Sequence, residues 1–253
     1  MKLLLFILIS FQLSFAASAE KVEQYLLVSS SDEELLALES QFSAMQNGFS
    51  TDANGEKKTY DMQLLSIRFN EYIQQHLSDN EMDKILENYK NVVYLQFVST
   101  AMHVPEANET EAYIDSLKND DEAKARLEIL EEVNTRLNNK DSMSIMFDAL
   151  MKPLLQSASG GMSNEMMKKR REAYMKNISI QARKETLYNL KDFSIEELEE
   201  LLKVVKTPAM SHELKAIYGA TAYALKEFFL SMASRYDVSK HQPPSTTDTN
   251  DTK

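Results

Sequence analysis

The sequence predicts an all-α protein: two tandem, related helical units forming an antiparallel helical bundle or array, behind a cleaved signal peptide. Three observations predict it. Apolar residues recur at spacings of three and four, the period that gathers them on one helix face. Leu64, Leu65, Phe69, Tyr72, Ile73 and Leu77 form one such stripe around the amphipathic Arg68, and Met82, Ile85, Leu86, Tyr89, Val92 and Val93 form a second. Helix starts are explicit: Ser78-Asp79-Asn80-Glu81 and Ser194-Ile195-Glu196-Glu197 each place a glutamate three residues after a serine, which satisfies the free amides of a first turn. No stretch combines alternation with β-branched residues for long enough to make a strand, and five glycines in 253 residues leave little for a glycine-punctuated sheet.

In chain order, residues 1–19 read as an export signal. Met1-Lys2 is the positive start, Leu3 to Phe15 the apolar run, and Ala17-Ser18-Ala19 a small-x-small cleavage site before Glu20. The run falls short of the ~20 apolar residues that span a bilayer, so no transmembrane segment is expected after cleavage. The mature chain then divides into a first helical unit at 20–105, a helical connector at 106–129 and a second unit at 130–238. Breaks are expected at Asn47 to Lys58, at His103 to Asn108, at Asn138 to Asp141 and at Ser157 to Ser163, each short enough to join packed helices. Pro153 interrupts an apolar helical pattern and predicts a kink or a restart. The apolar run Ala220 to Met232 reads as a buried core helix. Residues 239–253 hold no Leu, Ile, Val or Phe and are expected to be disordered.

The two units match in order. Val22 and Leu26 pair with Val133 and Leu137, Ala37-Leu38 with Ala149-Leu150, and Gly48 with Gly160. Leu77-Ser78 pairs with Phe193-Ser194 at an offset of 116 residues (193 minus 77). The offset grows in small steps along the chain, as a duplication with short insertions would produce. Phe193 to Leu202, followed by Thr207-Pro208, resembles the signature of the exported bacterial domain of unknown function twenty fifty-nine, and Lys21 to Phe42 is similar to that family's opening helices. Val204-Val205 stand where the family has an aromatic pair, and Met210 where it has glycine. The resemblance implies an all-helical, exported domain without catalytic residues.

Composition narrows the chemistry. With no cysteine there is no disulfide, thiolate metal site, cysteine nucleophile or lipid-modified cysteine. A formal charge of -11 argues against nucleic acid as a partner. His76, His103, His212 and His241 show no metal-ligand spacing: His212-Glu213 opens like a zinc-protease helix, but Ala216 stands where the second histidine is required. Acidic runs fall at helix starts, where they favour the helix dipole. No Gly-x-Ser-x-Gly nucleophile elbow occurs. The methionines from Met143 to Met175 read as adaptable packing rather than a copper site. No cofactor is expected. Lys168-Lys169-Arg170-Arg171 is the one dense basic run, a candidate patch for an envelope protein or an anionic surface. Asn108 and Asn250 head Asn-x-Ser/Thr sequons with an acidic residue two positions earlier, in expected loop or tail, and are candidate glycosylation sites. The function these features favour is a non-enzymatic envelope interaction module. The alternative is a carrier or holdase that encloses lipid or unfolded chain in an apolar helical cavity.

Overall fold

The computed structural model describes residues 16–48, 64–101, 107–118, 121–157 and 162–233, and every regular element among them is helical. In order these are α1 (Ala19–Ser29), α2 (Ser31–Gly48), α3 (Leu64–His76), α4 (Asp79–Asn88), α5 (Val92–Ala101), α6 (Ala107–Ser116), α7 (Asp121–Leu137), α8 (Lys140–Met146), a π turn (Phe147–Met151), α9 (Lys152–Ser157), α10 (Asn164–Asn189), α11 (Ile195–Val205) and α12 (Pro208–Ala233). No described helix is long and apolar enough to cross a membrane. Asn250 and the expected disordered tail lie outside the described residues.

Local chemistry sets the helix ends. Both capping boxes form: the Glu81 amide donates to Ser78 Oγ at 3.3 Å while the Ser78 amide donates to Glu81 Oε2 at 2.8 Å, and the Ser194–Glu197 pair repeats this at 3.1 and 2.7 Å. Replacing Ser194 with Ala should cost about 1 kcal/mol in urea unfolding, and Ser194→Gly less, because glycine still permits the extended cap conformation. Pro153 acts one turn upstream. The chain widens to π winding over Phe147–Met151, which accommodates a residue with no amide to donate and a ring that would crowd the preceding turn. Ala17 and Ser18, inside the segment read as export signal, are built into the fold. The Ala17 amide donates to the Leu77 carbonyl at 2.8 Å, and Ser18 caps α1 while its own amide donates to Asp79 Oδ1 at 2.7 Å.

One contiguous core runs through the bundle, with Tyr25, Ile73, Met82, Leu130, Leu198 and Phe228 among its most buried members. The predicted stripes face it with two departures. Val92 is 76 % exposed, because α4 ends at Asn88 and the intervening turn resets the helical phase before α5 begins. Leu64 is exposed at the first position of α3, while Leu65, Phe69 and Ile73 turn inward. Outside the stripes, Leu27 is 79 % exposed, because α1 turns Val22, Tyr25, Leu26 and Ser29 inward. A smaller cluster joins Phe147, Leu155 and Met167 to Met151, Met162 and Tyr174, so several of the clustered methionines serve as packing.

Packing across the chain is reciprocal. The last long helix, α12, lies along α3 and contacts α4, while α5 crosses to α10 and α11; α1 packs on α3 and α4, and α7 packs on α10 and α11. The α3–α12 contact depends on Gly219. A Cβ there would stand 2.4 Å from the Tyr72 hydroxyl oxygen and 2.6 Å from Cζ. The Tyr72 ring is held in turn by a parallel stack on His76, with centroids 3.6 Å apart. Gly219→Ala therefore forces the ring off α12 and should lower stability by about 1–2 kcal/mol, visible as a lower urea midpoint with an unchanged slope.

Candidate functional site

The site grows from the first turns of α12. Thr207 caps this helix, accepting from the Met210 amide at 3.2 Å. Residues three and four apart then face inward: Ala209, Met210, Glu213, Ala216 and Ala220 are all buried. Glu213 thus occupies a core position, and it is 1 % exposed. An ionised carboxylate there is costly unless it is paired. Among the described residues no cation pairs with it. The Tyr89 hydroxyl donates to Glu213 Oε1 at 2.5 Å, Oε2 has no hydrogen-bond partner among those residues, and the Tyr25 hydroxyl faces the carboxyl from α1 without meeting hydrogen-bond geometry. Burial pushes the Glu213 carboxyl up to about 7; the Tyr89 and Tyr25 hydroxyls oppose that rise without cancelling it. Burial also raises Tyr25, Tyr89 and Tyr94 above the usual phenol value, so all three stay neutral.

The rings form an ordered row. Tyr25 meets Tyr89 edge to face at 6.0 Å, Tyr89 meets Tyr94 at 5.0 Å and 66°, and Tyr94 continues to Phe97 at 6.2 Å. The Tyr94 hydroxyl contacts Met210 Sδ at 3.8 Å. Above this floor is a cavity of about 310 Å³ whose walls include Phe97, Met210, Leu214 and Tyr218, with Asn138 donating to Thr186 Oγ1 at 2.9 Å along one side. Glu34, exposed, and Glu185, half-buried, stand among the outer lining residues.

Two other hollows are less suited to chemistry. The larger, about 450 Å³, lies beside Glu131, Glu132, Arg136 and Lys206, but Glu131 pairs with Arg183 and Glu132 with Lys206 at 2.6 Å. The other, about 320 Å³, brings His76 and His212 to one hollow. There His212 Nδ1 is 2.9 Å from Glu81 Oε1, and His76 Nδ1 bonds the Tyr72 carbonyl oxygen at 2.9 Å, so both rings serve helix ends. Among the described residues no group of three or more His, Asp and Glu is placed to hold a metal ion.

The sequence candidates are scattered. Lys168, Lys169, Arg170 and Arg171 lie on α10. Lys169 pairs with Glu165 at 2.9 Å, Lys168 lies 4.0 Å from Glu172, and Arg171 reaches both Asp148 oxygens at 3.2 and 3.1 Å. Asn108, expected in a loop, instead belongs to the first turn of α6, and Thr110 of its sequon is buried. Acidic Glu109 in that turn favours the helix start electrostatically. Sequence reasoning missed Glu213 itself. Its signal was phase: it falls between Met210 and Ala216 on a stripe that is otherwise small or apolar.

Comparison with protein-family models, curated proteins and solved structures found no match to this chain. The functional reading therefore rests on the geometry.

Proposed function

We propose that the protein is an exported, non-enzymatic helical binding module, and that the cavity over Glu213 is where it binds a small molecule. The observation that carries this is a cavity lined by Tyr89, Tyr94 and Tyr218 over a wholly buried carboxyl, one of whose oxygens has no hydrogen-bond partner among the described residues. Small-molecule sites combine an apolar, aromatic lining with a few convergent polar groups, typically in about 300–1,000 Å³. At about 310 Å³ the cavity is at the small end of that range. It suits a metabolite-sized ligand, and it is too small for a lipid acyl tail with its headgroup or for unfolded chain. A carboxyl near neutrality could also move protons, but the Ser29 and Ser31 hydroxyls of the lining bond each other rather than a base, and Glu213's own hydrogen-bond partner is the neutral Tyr89 phenol, so binding is the stronger reading.

Tandem origin would explain where the cavity sits. At the offset of 116 residues, the cap Asn91, which accepts from the Tyr94 amide at 3.0 Å, corresponds to the cap Thr207, and Tyr94 corresponds to Met210, the residue it touches. Two related units that have exchanged their last helices would place α5 on α10 and α12 on α3, with equivalent residues meeting at the seam. The cavity floor is that seam: Tyr89 and Tyr94 come from one side, Met210 and Glu213 from the other.

The test is native mass spectrometry of protein purified from its host. A small-molecule adduct should be present in the wild type and absent from Ala182→Phe, which fills the cavity from α10. A bare wild-type mass, or an adduct that survives the substitution, would overturn the reading. A second reading, contact with an envelope protein, draws support from Leu27, Leu36 and Val92, which are 79, 62 and 76 % exposed. Photo-crosslinkers at these positions in intact cells should capture one reproducible partner if it holds.

A further inference from the structure

We infer that the ligand of the Glu213 cavity is an organic cation bearing an ammonium group. This rests on the small-molecule reading above and names its class. The cavity lining carries three carboxyl groups, Glu34, Glu185 and Glu213, and the aromatic rings of Tyr89, Tyr94, Phe97 and Tyr218; none of its described lining residues is Lys, Arg or His. Ring faces attract a cation through their quadrupole, most strongly where water is excluded, and a carboxylate beneath them adds full charge attraction in the same direction. An anionic ligand would meet no opposite charge among the described lining residues and would be repelled by the ionised Glu34 and Glu185. A neutral ligand would gain from the rings and at most hydrogen bonds, without charge attraction, from the carboxylates.

The floor is pre-organised for this role. Tyr89 is pinned through its hydroxyl to Glu213 Oε1, and its ring is braced edge to face by Tyr25 and Tyr94. Glu213 Oε2 meets no donor in hydrogen-bond geometry among the described residues, and the Tyr25 hydroxyl beside the carboxyl is likewise without a partner there. The groups facing Glu213 are neutral phenols: Tyr25 from α1, Tyr89 after α4 and Tyr94 from α5. Glu34 on α2 and Glu185 on α10 stand farther out, and Tyr218 lines the wall on α12 itself. No fixed positive charge among these groups satisfies Glu213 in advance. In the free protein burial keeps its carboxyl protonated up to about pH 7. A bound ammonium favours the carboxylate, so binding releases the Glu213 proton to solvent: its O–H bond breaks, the charge of the bound pair sums to zero, and the ligand is chemically unchanged.

Titration calorimetry of the mature protein with choline and with its neutral isostere 3,3-dimethylbutan-1-ol tests this. Choline should bind at least tenfold more tightly than the alcohol. Its affinity should rise roughly tenfold from pH 6 to pH 8, because the ionised fraction of a group titrating near 7 rises by about that factor. Glu213→Gln should cut the preference several-fold and flatten the pH dependence, with Glu34 and Glu185 retaining a residual attraction, and Ala182→Phe should weaken both compounds. Equal or tighter binding of the alcohol, abolished by Ala182→Phe, would overturn the cation class and leave the small-molecule reading standing. Choline binding that neither substitution affects would overturn the inference by placing the cation elsewhere. Absence of binding by either compound would also overturn it, and co-purification would then decide the parent reading separately.

Discussion

Glu213→Gln should make the protein more stable at pH 8 by about 3 kcal/mol while leaving its stability at pH 4.5 nearly unchanged. In the native state the Glu213 carboxyl titrates near 7 against an ordinary value of 4.5. Between those values the folded protein holds a proton that the unfolded chain has released. Unfolding therefore releases a proton, and stability falls as pH rises. The penalty is absent below the unfolded value, grows by about 1.4 kcal/mol per pH unit across the window, and is complete above the folded value. Glutamine keeps the shape and still accepts from Tyr89 at Oε1, but it has no charge to bury. A carboxylate such as Glu81, held below its ordinary value chiefly by the Ser78 amide, contributes the opposite slope at lower pH, and that slope is common to both proteins. Urea titrations of both proteins from pH 4.5 to 8 isolate Glu213 as their difference. A constant difference across that range would contradict the assignment.

Arg126→Ala should cost about 2–4 kcal/mol, more than any other surface-reaching substitution considered. The guanidinium extends from α7, and its two terminal nitrogens donate to the Phe193 carbonyl at 2.6 Å and to the Leu190 and Lys191 carbonyls at 2.8 Å each; Nε donates to the Tyr113 hydroxyl at 3.2 Å. One side chain thus closes the α10–α11 turn and ties it to α6 and α7. Hydrogen bonds from a charged donor are worth more than neutral ones, and truncation leaves carbonyls without their partner. Arg126→Lys should recover little of the loss, since one ammonium cannot span three carbonyls and a phenol. Urea unfolding checks both variants. A lysine variant as stable as the wild type would show that charge alone, without the planar fork, suffices.

Helix class, both capping boxes and the disturbance at Pro153 were legible because each depends on residues within one or two turns of one another. Side-chain destinations were less legible. Val92 continued a stripe in one dimension, but the turn at Tyr89–Asn91 resets the phase. Asn108 read as a loop residue from its distance to Pro105, yet the acidic first turn carries the helix back to it. Arg126 gave no local sign, since the carbonyls it ties lie more than sixty residues away along the chain. Glu213 was visible only as a charge on a core stripe. That it belongs there follows from Tyr89, Tyr25 and Tyr94, which the reciprocal packing of α12 and α5 brings to it from the other half of the chain.

The most direct measurement is the titration of Glu213 followed by carbon NMR in protein labelled at the glutamate side-chain carboxyl, with Glu213→Gln to assign the signal. A single carboxyl with a midpoint near pH 7 that vanishes in the variant is the predicted result. A Glu213 midpoint at the ordinary 4.5 would contradict the account, because the carboxyl would then be hydrated and charged rather than buried beneath the tyrosine-lined cavity.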